Sequence, residues 1–169
     1  MNKAHEIAQN KLKEKFGDSI IEQSLFRDEL TFVIKKDSLV DILKFLRSES
    51  DLRYVFLTDL TATDWPDRED RHEVVYLVYS FESHTYIRLK TRCCEGEKIP
   101  SVTHLWETAN WLEREVYDLF GVEFEGHPDM TRVLMWEDFE GHPLRKDFPL
   151  TYEIPKFSHD IDDPPEVIK

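Results

Sequence analysis

The chain carries only two cysteines, Cys93 and Cys94, and they are adjacent. An iron–sulfur cluster takes about four thiolates and a structural zinc site about four donors, so cysteine alone supplies neither. Neighbouring residues on a strand face opposite ways, so one buried and one exposed thiol is the expected arrangement. Long apolar runs are missing as well. The longest, Val74 to Tyr79, falls far short of the roughly 20 residues of a membrane-spanning helix. The opening "MNKAHEIAQNKLKEKF" lacks the apolar centre of a signal peptide, so a cytoplasmic chain that meets a membrane only through partners is expected. No G-x-G-x-x-G and no P-loop occurs among the five glycines, which leaves nicotinamide and flavin binding without support here. Positive charge is scarce in the second part. Residues 101–169 hold 16 of the 35 acids but only 6 of the 22 bases, within a net charge of −13. Such a segment repels nucleic acid and anionic lipid and favours neighbours that offer basic surface.

What is present suits a globular core. The 169 residues are 40% hydrophobic and 12% aromatic, enough for one domain with or without an appendage. Ala4, Ile7, Ala8, Leu12 and Phe16 follow helical spacing up to Gly17. "SIIEQSLF" and "LTFVIKK" read as strands joined by a hairpin at Arg27-Asp28-Glu29. Asp37 or Ser38 can cap a second helix with Leu39, Ile42, Leu43 and Leu46 on one face. "RYVFLTDLTATDW" is apolar on both parities, as expected of a central strand. "HEVVYLVYSF" and "TYIRLKTRC" follow; in the latter Ile87, Leu89 and Cys93 face one way and Arg88, Lys90 and Arg92 the other. Leu105, Ala109, Leu112, Val116, Leu119 and Phe120 outline a third helix ended by Gly121. The order αββαβββα predicts an α+β, two-layer domain over residues 1–122, with helices on one face of a mixed sheet.

Residues 123–169 differ. They hold six of the eight prolines, and each proline removes a donor and disfavours helix just before it. They also hold Phe124, Met130, Val133, Leu134, Trp136, Phe139, Leu144, Phe148 and Phe157, so this is an extended docking tail. It should lie along its own domain or another protein, and be protease-sensitive without partners. The pentapeptide Phe124-Glu125-Gly126-His127-Pro128 returns as Phe139-Glu140-Gly141-His142-Pro143. His127, His142 and Glu125 or Glu140 can be read as a two-histidine-one-carboxylate metal set. The structural reading needs only two glycine turns, each sent onward extended by a His-Pro step. On the third helix Glu113, Arg114 and Glu115 radiate about 100° apart, and Arg114 can reach Asp118 at i+4. Arg145, Lys146 and Asp147 lie in an extended segment suited to carboxylate pairing by arginine.

"ANWLEREVYDLFGVEFEGHPDMTRVLMWEDFEGHPLRKDFPL", Asn110 to Leu150 apart from its first residue, resembles the signature of the 30-kilodalton subunit of respiratory complex I, the C subunit of the bacterial NADH–quinone oxidoreductase. The resemblance rests on E-R-E, the following aspartate and F-G, G-H-P-D, an arginine, G-x-P-L-R-K-D and the closing F-P. It implies a non-catalytic subunit in the peripheral arm of a proton-translocating complex, on the cytoplasmic side of the membrane. FMN, Fe–S clusters and quinone would sit on partners, and electrons would pass from NADH to quinone. The implied neighbours are the 49-kilodalton quinone-site subunit and the terminal Fe–S cluster subunit, with other peripheral-arm subunits. Glu113, Arg114, Glu115, Asp118, His127, Arg132, His142, Arg145, Lys146 and Asp147 are the expected docking residues. A related membrane-bound hydrogenase or other complex I-like oxidoreductase is the alternative assembly. The rival is a soluble metalloenzyme built on the two histidines.

Overall fold

The computed structural model describes residues 2–150; the expectations for residues 151–169, including Phe157 in the extended tail, lie outside them. Helix α1 spans Lys3–Phe16, its first turn capped by the Asn2 side chain accepting the Ala4 N–H. Strands β1 (Ile20–Phe26) and β2 (Glu29–Ile34) form the expected hairpin. Its turn residues Arg27 and Asp28 have φ of 51° and 62°, the conformation that fits the strand twist in a two-residue loop. Helix α2 (Leu39–Ser48) buries Leu39, Ile42, Leu43 and Leu46; Ser38 stands before it without a side-chain cap bond.

Strands β3 (Phe56–Asp64), β4 (His72–Ser80) and β5 (Thr85–Cys93) follow. The sheet runs β1-β2-β5-β4-β3. Only β2 and β5 are parallel, so the sheet is mixed, and the α+β two-layer expectation holds. A short β6 (Lys98–Pro100) then leads to α3 (Ala109–Phe120). Leu105 precedes α3 in a turn rather than lying on the helix. Strand β7 (Glu123–Glu125) returns to pair in parallel with β6. Apolar residues of all three helices and one sheet face join a single core. On the other face Arg88 pairs with Glu29, while Lys90 and Arg92 share Glu73.

Two further expectations fail. Residues 143–148 run as successive turns, with Arg145 N–H donating to His142 O and Phe148 N–H to Arg145 O, and not as the extended segment expected around Arg145, Lys146 and Asp147. β3 is an edge strand, not a central one. Its apolar residues fall on two parities because a bulge shifts the register between Leu57 and Asp59. The extra residue turns Leu57 inward together with Leu60 and Ala62, so two parities serve one face.

Candidate partner-docking face

Residues 123–150 fold back as a strap over α3 and one end of the sheet, and the repeated pentapeptide performs the same task twice. Phe124 and Phe139 are both buried, while Glu125 and Glu140 are exposed. Gly126 and Gly141 take φ of 82° and 91°, a region glycine enters without a Cβ penalty. Each following histidine reaches a backbone carbonyl of α3. His127 Nε2–H donates to Asn110 O at 3.2 Å, and its Nδ1 accepts the Asp129 N–H at 3.0 Å. His142 Nδ1–H donates to Asp118 O at 2.9 Å. Those carbonyls lie eight residues apart, about 12 Å along the helix axis.

The last carbonyls of a helix have no intrahelical partner, and the strap supplies partners for them. Asp118 O accepts from His142 and also from Arg132, and Leu119 O accepts the Leu144 N–H at 3.0 Å. Gly121, at φ 79°, ends the helix. A Cβ on Gly121 would lie 2.7 Å from the His142 ring, so the helix end and the second corner require glycine together.

Asp118 is the main anchor. Its side chain is fully buried and accepts the N–H groups of Val133, Leu134 and Met135 at 3.0, 2.8 and 2.9 Å, plus Arg132 Nη1 at 2.6 Å. Burial pushes this carboxyl up, but the Met135 N–H, the Arg132 guanidinium and the other two N–H groups outweigh it and hold it below its ordinary value. Arg132 spends its remaining donors on Phe139 O and Gly141 O. The i+4 pair expected between Arg114 and Asp118 does not form. Asp118 turns under the strap, and Arg114 instead donates to Thr131 Oγ1 and to the carbonyls of Thr131 and Arg132.

Glu113 works one turn earlier. It is fully buried, accepting the Ser101 hydroxyl and the Val102 N–H at 2.7 Å each, with His127 Nε2 4.0 Å away. Burial raises its carboxyl to about 7, against those two hydrogen bonds. A third set fixes the "LRKDF" segment to the sheet end. Asp64, at the end of β3, is held by Arg71 through two bonds of 2.6 and 2.9 Å and accepts the Lys146 N–H at 2.7 Å. Arg71 also pairs with Asp147 at 2.8 Å, and Arg145 bridges Glu95 and Asp147. Arg71, then Arg145, lower the Asp147 carboxyl to about 2.

Arg114, Asp118, His127, Arg132, His142, Arg145 and Asp147 thus all hold the strap on this chain's own domain, while Glu113 ties α3 to Ser101 and Val102 beneath it. Glu115 is exposed, and Lys146 enters through its backbone N–H. Asp64, Arg71, Glu95, Ser101 and Thr131 belong to the same network and are not singled out by the sequence; the aspartate closing "TDLTATDW" is the one available signal. Phe124 joins the domain core, and Met130 packs against it. Protease sensitivity was expected because apolar side chains would lack a core, and these two residues have one.

The two repeat histidines are held by separate carbonyls of α3, Asn110 O and Asp118 O, and do not share a site. Both ring nitrogens of His127 are engaged by backbone. Among the described residues no three His, Cys, Asp or Glu side chains converge. Cys93 is buried and Cys94 half-buried; burial, with Glu97 nearby, pushes the Cys93 thiol up to about 12. No helix of the described residues is long and apolar enough to cross a membrane.

Known proteins resemble this chain in sequence, and one solved chain in fold. A Geotalea uraniireducens protein named as the C subunit of NADH-quinone oxidoreductase is 49% identical over 141 residues, covering 83% of this chain and 85% of that one. A Rhodobacter capsulatus protein of the same name is 41% identical over 149 residues, 88% of this chain and 74% of that one. A chain in the structure of the membrane-bound sulfane sulfur reductase, an archaeal respiratory membrane complex, superposes with a TM-score of 0.73 at 28% identity, covering 95% of this chain and 98% of that chain. Residues 32–153 match the family described as respiratory-chain NADH dehydrogenase, 30 Kd subunit. The chain belongs to that family.

Proposed function

We infer that this chain is a peripheral-arm subunit of a proton-translocating NADH–quinone oxidoreductase, without an active site of its own. In this reading it braces the 49-kilodalton quinone-site subunit and the terminal Fe–S cluster subunit on the cytoplasmic side of the membrane. FMN, clusters and quinone belong to partners, and electrons pass from NADH to quinone through them. The observation that carries the reading is how the strap is built. Its histidines, its arginines and Asp147 turn inward to bind its own domain, while Leu134, Trp136 and Leu144 of the strap and Trp111 of α3 stay exposed. Exposed large apolar groups over a rigid base suit a protein interface better than a substrate pocket. A second reading, an equivalent subunit of another complex I-like oxidoreductase, is favoured by the likeness to the sulfane sulfur reductase chain.

The test is to isolate the chain from gently solubilised membranes and assay what accompanies it. The reading predicts a large assembly with NADH:quinone activity and a quinone-site subunit. A hydrogenase or sulfur-reducing assembly would keep the bracing role and replace the reaction. A chain that emerges alone would defeat the reading.

A further inference from the structure

We propose that the outer surface of α3 and the strap is a docking face for a protein surface rich in lysine and arginine, which rests on the assembly reading above. The face is continuous. Trp111, 61% exposed, lies under the Arg114 guanidinium at 4.8 Å. Arg114 grips the strap at Thr131 and Arg132. Leu134, 55% exposed, follows, held through its N–H by Asp118. Trp136 packs edge-on against Phe139 at 4.8 Å. Leu144, pinned to Leu119, then lines a mainly apolar groove of about 570 Å³ together with Trp65, Pro66 and Phe120, with Asp64 and Lys146 also at its lining.

Exposed charge on this face is mostly acidic. Glu115, Asp129, Glu137, Asp138 and Glu140 are exposed, and among the described residues none has a cation within ion-pair distance. The arginines that would balance them are committed elsewhere. Arg132 is bound to Asp118, Arg145 to Glu95 and Asp147, and Arg114 to strap carbonyls. Lys146 is the one cation of the strap left outside an ion pair among the described residues. An apolar centre with an acidic rim is complementary to an apolar surface rimmed by basic residues, and opposite charges across the rim set orientation and suppress wrong partners. Anionic lipid and nucleic acid are repelled by the same rim.

Two measurements on the full chain in its native membranes test this. A photo-reactive residue replacing Asp138 should cross-link to one neighbouring subunit, within a segment where Lys and Arg outnumber Asp and Glu. The triple variant Glu115→Lys, Glu137→Lys, Asp138→Lys should lower co-purification of that subunit about tenfold or more, since like charges would face each other. Its melting temperature in isolation should be unchanged, and Glu14→Lys with Asp18→Lys on the α1 side should co-purify normally. Normal co-purification of the triple variant, or cross-links only to lipid or to an acidic segment, would overturn the proposal and leave the assembly reading standing. A wild-type chain that leaves the membrane without companions would overturn both.

Discussion

Replacing Asp118 with alanine should release the strap without unfolding the domain beneath it. The carboxylate serves four strap donors at once, the N–H groups of Val133, Leu134 and Met135 and the Arg132 guanidinium. Deleting one member of a buried charge pair costs roughly 3–5 kcal/mol, and each stranded buried N–H adds about 1–3 kcal/mol. The sum exceeds what a short segment spends by lifting into water, where all four donors are solvated again. The loss is therefore capped by strap release. Sheet and helices, whose core takes only Phe124 and, packed against it, Met130 from the strap, should melt nearly as before. Amide hydrogen exchange reads the difference directly. Exchange at Leu134 and Met135 should accelerate by roughly 100- to 4,000-fold, the equivalent of about 3–5 kcal/mol at 1.4 kcal/mol per tenfold, while the β4 and β5 amides stay protected. Unchanged exchange in the strap, or equal acceleration in strap and sheet, would refute the reasoning. Acid should mimic the variant. Asp118 has a lowered carboxyl in the folded state, so its contribution is complete above the ordinary value of 3.8 and disappears as pH falls below it.

Glu113 has the opposite sign. Its carboxyl is raised from 4.5 to about 7, so its stabilising contribution is greatest at low pH and is lost as pH rises toward and through 7. Glu113→Gln keeps an acceptor for the Val102 N–H and gives Ser101 a donor; it should exceed the wild type by on the order of 2–3 kcal/mol above pH 7 and match it below about pH 5. Thermal melts across that range decide it, and a variant weaker at pH 8 contradicts it. Gly121→Ala should be more harmful than Gly126→Ala. Both have positive φ, but only at Gly121 does a Cβ meet the His142 ring, so denaturant midpoints should separate by more than the roughly 1–2 kcal/mol of backbone strain they share. Arg71→Ala should cost more than Arg145→Ala in the same assay, since it leaves the fully buried Asp64 without its cation, whereas the Arg145 partners Glu95 and Asp147 are more than half exposed. Equal losses would mean that the sheet-end network behaves as surface pairs do.

Most of the fold was legible in the sequence because its helices and inner strands are ordinary amphipathic elements. Leu39, Ile42, Leu43 and Leu46 mark α2 by spacing alone, and Ile87, Leu89 and Cys93 separate from Arg88, Lys90 and Arg92 by strand alternation. The placement of β3 was not legible, since a bulge mixes its parities and a bulge leaves no local mark in "FLTDLTATD". The turn role of the repeat was readable from Gly-His-Pro, but the carbonyls that the histidines reach were not. Those bonds span 17 and 24 residues, and such long-range pairings have no periodicity. Arg114 illustrates the same limit. Spacing offered Asp118 four residues on, yet the strap, which spacing cannot position, took both side chains. The contributions of Asp64 and Arg71 were hidden for the same reason, since their strap partners lie some eighty residues away.

The account stands on a strap that turns its histidines and arginines inward and, beside Trp111 of α3, its large apolar groups outward to carry a neighbour. A high-resolution structure of the assembly extracted from membranes with this chain in it tests that most directly. The account predicts residues 123–150 seated on α3 as in the free chain, with Trp111, Leu134, Trp136 and Leu144 buried beneath an adjoining subunit. A strap lifted from Asp118, or those four side chains left facing water in the complete assembly, would contradict it.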